Sequence, residues 1–195
     1  MIKRTRVLLE EYSSYKNPKD KLSRLVKEKK LFPIIQGLYE TVSNVDGKLL
    51  ASSICSPSYL SFDYALFFYG LIPEKVVNFT SACYNKRKTK EYHTSFGCFI
   101  YHDIPKEAFP YGITLKKENE YSYQIATIEK AICDKLYSLP PINSQKELES
   151  LLFNDLRIDK NIFFTIDITK ITFLSSLYKC KNIYLLVKYL KRRNK

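Results

Sequence analysis

The chain has 195 residues, of which 45% are hydrophobic, and its formal net charge at pH 7 is +12. This length and apolar content allow a sizeable folded core and exclude a disordered chain, while the positive charge favours polyanionic partners. The five glycines are scattered, so the sequence has neither a Gly-x-Gly-x-x-Gly dinucleotide fingerprint nor a P-loop. The five cysteines include no Cys-x-x-Cys pair, which argues against a zinc knuckle or a thioredoxin motif.

Hydropathy predicts a cytoplasmic protein without a membrane span. The first residues contain at most three consecutive apolar side chains, too few for the apolar core of a signal peptide. The longest apolar run, residues 65–72, is far shorter than the roughly 20 residues that cross a bilayer. An odd number of cysteines without paired spacing also fits a reducing compartment.

The positive charge is concentrated at the two ends of the chain. Residues 1–40 contain ten Lys or Arg and five Asp or Glu, residues 41–140 contain eleven and ten, and residues 141–195 contain eleven and five. This distribution predicts a basic nucleic-acid module at the N-terminal end and a second basic surface near the C-terminal end. A solvated helix face explains the C-terminal charge equally well.

The first forty residues predict two helices followed by a β-hairpin. The helical period of apolar residues over residues 2–13 predicts the first helix. Asn17 and Pro18 begin the second helix, because Asn is a favoured N-cap and Pro suits the first helical position. Two β-prone runs within residues 31–41, separated by Gln36-Gly37, predict the hairpin. The apolar stripe of the second helix consists of Leu22, Leu25 and Val26.

Two helices and a hairpin, with a basic second helix, are the outline of a winged helix-turn-helix domain, which we expect to span residues 1–44. The second helix of such a domain enters the DNA major groove, and the hairpin contacts the flanking backbone. Arg24 has the donor geometry to bind guanine, whereas lysines suit phosphates. The predicted DNA-binding residues are Lys16, Lys19, Lys21, Ser23, Arg24, Lys27, Lys30 and Gln36. An ordinary amphipathic helix with solubilising lysines explains the same local pattern.

Residues 45–195 predict a second domain in which helices surround a small, mainly antiparallel sheet and end in a helical tail, so the predicted fold class is α+β. We expect a helix from Ser61 to Tyr69, with Gly70 as its left-handed stop. Strands are expected at residues 76–83, 92–95, 98–102, 113–115 and 121–125. Later helices are expected to begin at the cap residues Thr127, Ser144, Asp167 and Asn182.

A basic turn interrupts the predicted strands at residues 85–90, where the sequence is Asn-Lys-Arg-Lys-Thr-Lys. Its charge makes it a candidate contact to a partner protein or to DNA. The cations of this turn are Lys86, Arg87, Lys88 and Lys90.

Candidate catalytic chemistry is sparse. His93 and His102 flank Cys98, which suggests a nucleophile–base pair, but the alternation around Cys98 predicts a strand and no acid has a spacing known to orient a histidine. Lys130 and Asp134, four residues apart on a predicted helix, indicate an exposed ion pair. We therefore predict no catalytic residue, no metal ligand, no cofactor and no enzymatic activity.

Four segments follow one another in the order and spacing of a known family. Residues 21–39 match its recognition helix and wing, and residues 80–88 match a strand with a basic turn. Within residues 59–73 the matching positions are Ser61, Ala65, Leu66, Gly70, Leu71 and Pro73. Within residues 125–136 they are Ala126, Glu129, Lys130, Ala131 and Asp134. With these segments the chain resembles the AbiEi family of abortive-infection antitoxins, the antitoxin half of type IV toxin–antitoxin systems.

The resemblance implies an N-terminal winged-helix domain and a C-terminal antitoxin domain. Members of the family repress their own operon by binding inverted repeats in double-stranded DNA. They also neutralise a nucleotidyltransferase-like toxin encoded by the neighbouring gene, often without a stable complex. The resemblance therefore implies transcriptional autorepression and phage defence, with operator DNA and such a toxin as partners.

Two positions depart from the family pattern. The glycine that follows the recognition helix is replaced within Lys29-Lys30, so we expect a non-glycine residue or a different turn to end this helix. The wing arginine is replaced by Gln36, which removes a charged wing contact. These departures leave an alternative open, in which a protein-interaction or solitary regulatory protein keeps the fold without specific DNA binding. RNA binding fits the charge but has no supporting motif.

Overall fold

A computed structural model describes residues 1–193 and shows an α+β protein. The N-terminal part consists of β1 (Ile2–Arg4), α1 (Thr5–Glu11), α2 (Pro18–Lys27), β2 (Phe32–Ile35) and β3 (Leu38–Glu40). Its strands form an antiparallel sheet in the order β1-β3-β2. The predicted second helix and hairpin are confirmed, and Gly37 has a φ of +83° in the turn between β2 and β3.

The helix predicted over residues 2–13 is wrong at its N-terminal end. Residues 2–4 form β1 and pair with residues 38–40 of β3, and α1 begins only at Thr5. The Thr5 N–H donates to the Gly37 carbonyl at 3.0 Å, which ties the start of α1 to the hairpin turn. Because β3 lies far along the chain, the periodicity of residues 2–13 contains no signal for this pairing.

The larger sheet contains β4 (Tyr59–Leu60), β5 (Phe79–Cys83), β6 (Lys90–Thr94), β7 (Gly97–Asp103), β8 (Ile113–Glu118) and β9 (Tyr121–Ala126). Their order across the sheet is β6-β7-β5-β4-β9-β8. β5 is parallel to β7 and β4 is parallel to β9, whereas the other neighbouring pairs are antiparallel. The sheet is therefore larger and more mixed than predicted, because parallel pairing joins strands that are separated by other elements.

Helices pack around this sheet and form the C-terminal part of the described chain. They are α3 (Ala51–Ile54), α4 (Phe62–Phe68), α5 (Ile128–Ser138), α6 (Gln145–Ser150), α7 (Lys160–Phe163), α8 (Ile168–Tyr178) and α9 (Lys181–Arg193). A 3₁₀ turn at Gly47–Leu49 precedes α3, and a π-helical turn at Leu151–Asp155 follows α6. Over residues 1–193, no helix has the length and apolar character needed to cross a membrane.

Most predicted helix starts are confirmed by side-chain caps. Thr127, Ser144 and Asp167 each accept a hydrogen bond from a backbone N–H in the first turn of the following helix. Ser61 precedes α4 as predicted, but its hydroxyl donates to Asp134 instead of capping the helix. The Ser61 hydroxyl thus binds a buried carboxylate, whereas the local sequence pattern predicted that it would cap the backbone of α4.

Asn182 also has a role other than the predicted cap. It lies inside α9 and is buried, with its Oδ1 accepting from the Ile142 N–H at 2.8 Å. Its Nδ2 donates to the carbonyls of Leu136 at 2.9 Å and Pro140 at 3.0 Å. The side chain therefore satisfies hydrogen-bonding groups of the backbone near the end of α5. These groups are about forty residues away in the sequence, so a rule based on neighbouring residues could not predict the contact.

The buried apolar residues form two cores. A small core in the N-terminal part contains Leu8, Leu22, Leu25 and Leu31. The hairpin residues Ile34 and Leu38 belong instead to the large core around the six-stranded sheet. The two N-terminal helices thus have their own core, while the hairpin anchors them to the remainder of the protein.

A lysine forms the left-handed turn that ends α2. Lys29 has a φ of +53°, its N–H donates to the Val26 carbonyl at 3.1 Å, and the Lys30 N–H donates to the Leu25 carbonyl at 3.0 Å. These two hydrogen bonds define a Schellman motif, which usually contains glycine because a Cβ opposes the left-handed conformation. The expected non-glycine helix end is confirmed.

We expect Lys29→Gly to stabilise the protein by about 1 kcal/mol, because glycine removes the Cβ that opposes this conformation. The matched control is Lys27→Gly, which removes the same charge inside the helix and should destabilise the protein by about 1 kcal/mol. Chemical denaturation of both variants gives the two free energies of unfolding. Equal destabilisation by the two glycines would contradict the turn described here.

Candidate nucleic-acid interface

The position of α2 is set by its cap and its apolar side. Asn17 Oδ1 accepts from the Asp20 N–H at 3.4 Å, and Asn17 Nδ2 donates to Asp20 Oδ2 at 2.6 Å. Pro18 occupies the first helical position, and Leu22 and Leu25 are buried in the small core with α1. These contacts determine which side of the helix faces solvent.

The solvent side of α2 carries Lys19, Ser23, Arg24 and Lys27, all of them exposed, and we call this set the basic helix face. Lys19, Ser23 and Lys27 follow one another at intervals of four residues and so lie along one side of the helix. Ser23 Oγ donates to the Lys19 carbonyl at 3.2 Å. Within residues 1–193, none of the three cations forms a salt bridge, which leaves them available to an anionic partner.

A groove runs between the basic helix face and the hairpin. Lys19, Ser23 and Lys27 contribute to its helix side, and Pro33 and Tyr39 contribute to its hairpin side. The helix and the hairpin therefore border one concave surface whose positive charge lies on the helix.

Lys21 lies on another side of α2, against α1. Its Nζ is 4.8 Å from the centre of the Tyr15 ring and 5.9 Å from that of the Tyr12 ring. At such distances the positive charge of an ammonium group interacts favourably with the face of an aromatic ring, which is a cation–π interaction. Lys21, predicted as a phosphate contact, thus has partners within the protein.

The remaining predicted DNA-binding residues lie at the ends of elements. Lys30 Nζ is 2.9 Å from Glu28 Oε2, and this hydrogen-bonded pair lowers the pKa of Glu28. Lys16 is exposed in the link between α1 and α2, and Gln36 is exposed in the hairpin turn. Four of the eight predicted residues thus share the basic helix face, and the other four lie outside it.

A carboxylate holds the basic turn between β5 and β6. Asp103 of β7 accepts from the backbone N–H groups of Lys86 at 2.8 Å and Arg87 at 2.5 Å. Consecutive N–H groups that point at one anion can bind phosphate, and here Asp103 occupies them. Arg87 and Lys88 are exposed, whereas Lys86 and Lys90 are half-buried. The turn therefore presents mainly the side chains of Arg87 and Lys88 to a partner.

The cysteine and histidines considered for catalysis lie on the β6–β7 hairpin. Cys98 is the register partner of His93, whereas His102 lies further along β7 and packs its ring against Phe62, with centroids 4.9 Å apart. Burial lowers the pKa of His102, so its imidazole is neutral at pH 7. In the described part of the chain, no hydrogen bond joins Cys98 to either histidine.

Lys130 and Asp134 form a buried ion pair. Both side chains have 0% exposure, and Lys130 Nζ lies 3.8 Å from Asp134 Oδ1. The prediction of an exposed pair is wrong because α5 packs against α4, α8 and α9 as well as β9, so its polar side is covered. The sequence of α5 shows one apolar stripe, which predicts one buried side and gives no sign that other helices cover the polar side as well.

Neutral polar groups complete the hydrogen bonds of this pair. Lys130 Nζ donates to the Ala108 carbonyl at 2.6 Å and contacts Tyr178 Oη at 2.5 Å. Burial lowers the pKa of Lys130 and raises that of Asp134, and their mutual attraction opposes both shifts. Asp134 accepts hydrogen bonds from the hydroxyls of Tyr59, Ser61 and Tyr178. We call Tyr59, Ser61, Lys130, Asp134 and Tyr178 the buried polar cluster.

Two segments that lie far apart in the sequence meet in the buried polar cluster. Ser61 comes from residues 59–73, and Lys130 and Asp134 come from residues 125–136. The spacing of Lys130 and Asp134 indicated their ion pair, whereas no sequence feature pointed to Ser61 or Tyr178 as its partners. The hydrogen bond from Ser61 to Asp134 therefore joins α5 to the residue that precedes α4.

Comparison with known proteins yields no match, either to a protein-family model or to a curated protein. The geometry of the chain defines an α+β protein with a basic helix beside a three-stranded sheet. Functional conclusions therefore rest on the residues of the chain itself.

We expect Lys130→Met to destabilise the protein by about 3–5 kcal/mol, because Asp134 would remain buried without its cation. Lys146→Met, on the exposed side of α6, is the matched control and should change the free energy of unfolding by less than about 0.5 kcal/mol. Urea denaturation measures both values. A Lys130→Met variant as stable as the control would be incompatible with a buried charge pair.

Proposed function

We propose that this protein is a DNA-binding antitoxin that represses its own operon and counteracts a nucleotidyltransferase-like toxin. The observation that carries the DNA-binding part is the basic helix face, whose cations are exposed and free of salt bridges within residues 1–193. The antitoxin part rests on the four segments that resemble the AbiEi family.

The topology of the N-terminal part supports assignment as a winged helix-turn-helix domain that has two helices. In this assignment α2 is the recognition helix and the β2–β3 hairpin is the wing, with β1 paired to β3. α2 has ten residues and is about 15 Å long, and an α-helix with its side chains is about 10–12 Å in diameter, which fits a major groove about 12 Å wide. The groove beside α2 would then accept the DNA backbone.

The chemistry of the basic helix face suggests separate roles for its residues. The planar guanidinium of Arg24 can donate two parallel hydrogen bonds to O6 and N7 of guanine. The ammonium groups of Lys19 and Lys27 suit phosphates, and Ser23 can donate to either a base or a phosphate. Sequence preference would therefore depend mainly on Arg24, and overall affinity on the lysines.

The alternative is a protein-interaction or solitary regulatory protein that has lost specific DNA binding. Three of the predicted DNA-binding residues favour it. Gln36 brings no charge to the hairpin turn, and Lys21 and Lys30 have partners within the protein. In this alternative the exposed Arg87 and Lys88 are the surface for a protein partner.

Fluorescence anisotropy distinguishes the two functions. The duplex from upstream of the protein's own gene and a scrambled duplex are titrated over a salt series. A preference for the native duplex that persists near physiological salt supports the repressor. Equal and steeply salt-dependent affinity for both duplexes would reject it and favour the alternative.

We expect Arg24→Ala and Lys27→Ala to weaken DNA binding in different ways. Arg24→Ala should reduce the discrimination between native and scrambled duplexes by about 1–3 kcal/mol, because a base contact is lost. Lys27→Ala should weaken binding to both duplexes and lower the slope of log K against log salt by about one. Lys146→Ala is the control for lost surface charge. Unchanged discrimination in Arg24→Ala would show that α2 does not bind bases as proposed.

Neutralisation of the toxin should be separable from DNA binding. We expect Arg24→Ala to protect cells that express the nucleotidyltransferase-like protein of the neighbouring gene as well as the unmodified protein does, since Arg24 lies on the N-terminal part. The double substitution Arg87→Ala/Lys88→Ala should reduce this protection if the basic turn contacts the toxin. Growth after toxin induction is the measurement. Failure of the unmodified protein to protect would refute the antitoxin function and leave DNA binding unaffected.

A further inference from the structure

Three side chains with different metal-binding groups converge on the exposed face of the β6–β7 hairpin. His93 Nε2 lies 2.9 Å from Glu91 Oε1, and Cys98 Sγ donates to the same oxygen at 3.4 Å. One ligand atom from each of the three residues lies within 4.8 Å of the others. A carboxylate, an imidazole and a thiol thus surround one point.

The backbone register brings these residues together. Glu91 and His93 are two residues apart on β6, so their side chains point to the same face of the strand. Cys98 is the direct cross-strand partner of His93, and facing side chains of such a pair lie close together. The turn between the strands is also fixed, because Thr94 Oγ1 accepts from the Phe96 N–H at 3.0 Å.

We propose that Glu91, His93 and Cys98 bind a zinc ion, with a water molecule as the fourth ligand. Carboxylate oxygen, imidazole nitrogen and thiolate sulfur all bind zinc, at about 2.0–2.3 Å. In a tetrahedral site, bonds of this length separate neighbouring ligand atoms by roughly 3.3–3.8 Å. The Cys98–Glu91 separation already has this value, and the His93–Glu91 separation needs to widen by about 0.5 Å.

Zinc binding replaces the hydrogen bonds within this group by metal–ligand bonds. The Cys98 thiol releases its proton to solvent, and His93 coordinates through an unprotonated Nε2 while its remaining ring proton lies on Nδ1. The Glu91 oxygen that accepted their hydrogen bonds coordinates the ion instead. Because Glu91 and His93 lie on β6 and Cys98 lies on β7, the ion would join both strands of the hairpin. β6 is an edge strand, so this link would lie at the border of the sheet.

Cobalt provides a direct test, because Co²⁺ replaces zinc in tetrahedral sites and a thiolate ligand gives it a near-ultraviolet charge-transfer band. The full chain is titrated with Co²⁺ after tag removal and with all thiols reduced. We expect one Co²⁺ per chain, a thiolate charge-transfer band, and displacement by Zn²⁺. Cys98→Ser should abolish the band, whereas Cys180→Ser, which removes the other partly exposed thiol, should retain it.

Two further measurements separate the site from non-specific metal binding. His93→Gln should weaken Zn²⁺ binding by at least about tenfold in competition with a chromophoric chelator. Zn²⁺ should raise the melting temperature of the unmodified protein and leave that of Cys98→Ser unchanged. Absence of the charge-transfer band in the unmodified protein, or its persistence in Cys98→Ser, would overturn the proposal. Equal melting temperatures of the two proteins without metal verify that the substitution leaves the fold intact.

Discussion

The buried pair of Lys130 and Asp134 is the interaction on which the larger part of the fold depends. Each charge would cost several kcal/mol to remove from water without a partner, so the pair is tolerated only when every one of its hydrogen bonds is formed. Those bonds come from β4 and the residue that follows it, from the segment before β8 and from α8, and they meet on α5. The sheet and the helices around α5 therefore depend on one another, because the loss of one partner would leave a buried charge without its hydrogen bonds.

The polar residues of this arrangement are inaccessible to a macromolecular partner. Ser61, Lys130 and Asp134 are each completely buried. Their side chains stabilise the core and cannot contact DNA or a toxin from that position. The proposed activity therefore depends on exposed residues elsewhere in the chain.

The net charge of +12 is distributed among cations in different situations. Lys130 is buried in the core, Lys21 lies against aromatic rings, and Lys30 is paired with Glu28. The cations of the basic helix face are exposed instead, because the opposite side of α2 is held in the small core. The net positive charge therefore indicates an anionic partner, and the packing of α2 against the small core decides which of its cations can contact that partner.

Features that depend on neighbouring residues followed from the sequence, whereas features that depend on distant residues required the fold. The cap at Asn17, the cap at Thr127 and the turn at Gly37 involve hydrogen bonds and backbone angles within a few residues, so residue type and spacing were sufficient to predict them. The pairing of β1 with β3 and the parallel strand pairs left no local pattern to detect.

The same distinction applies to the candidate sites. The exposed side of α2 could be predicted because a helix repeats every 3.6 residues and its apolar stripe identifies the opposite side. The burial of Lys130 required a second layer of helices, and the convergence of Glu91, His93 and Cys98 required a particular strand register. Neither is encoded in a short stretch of residues, because burial and cross-strand proximity are properties of segments that meet only in the folded chain.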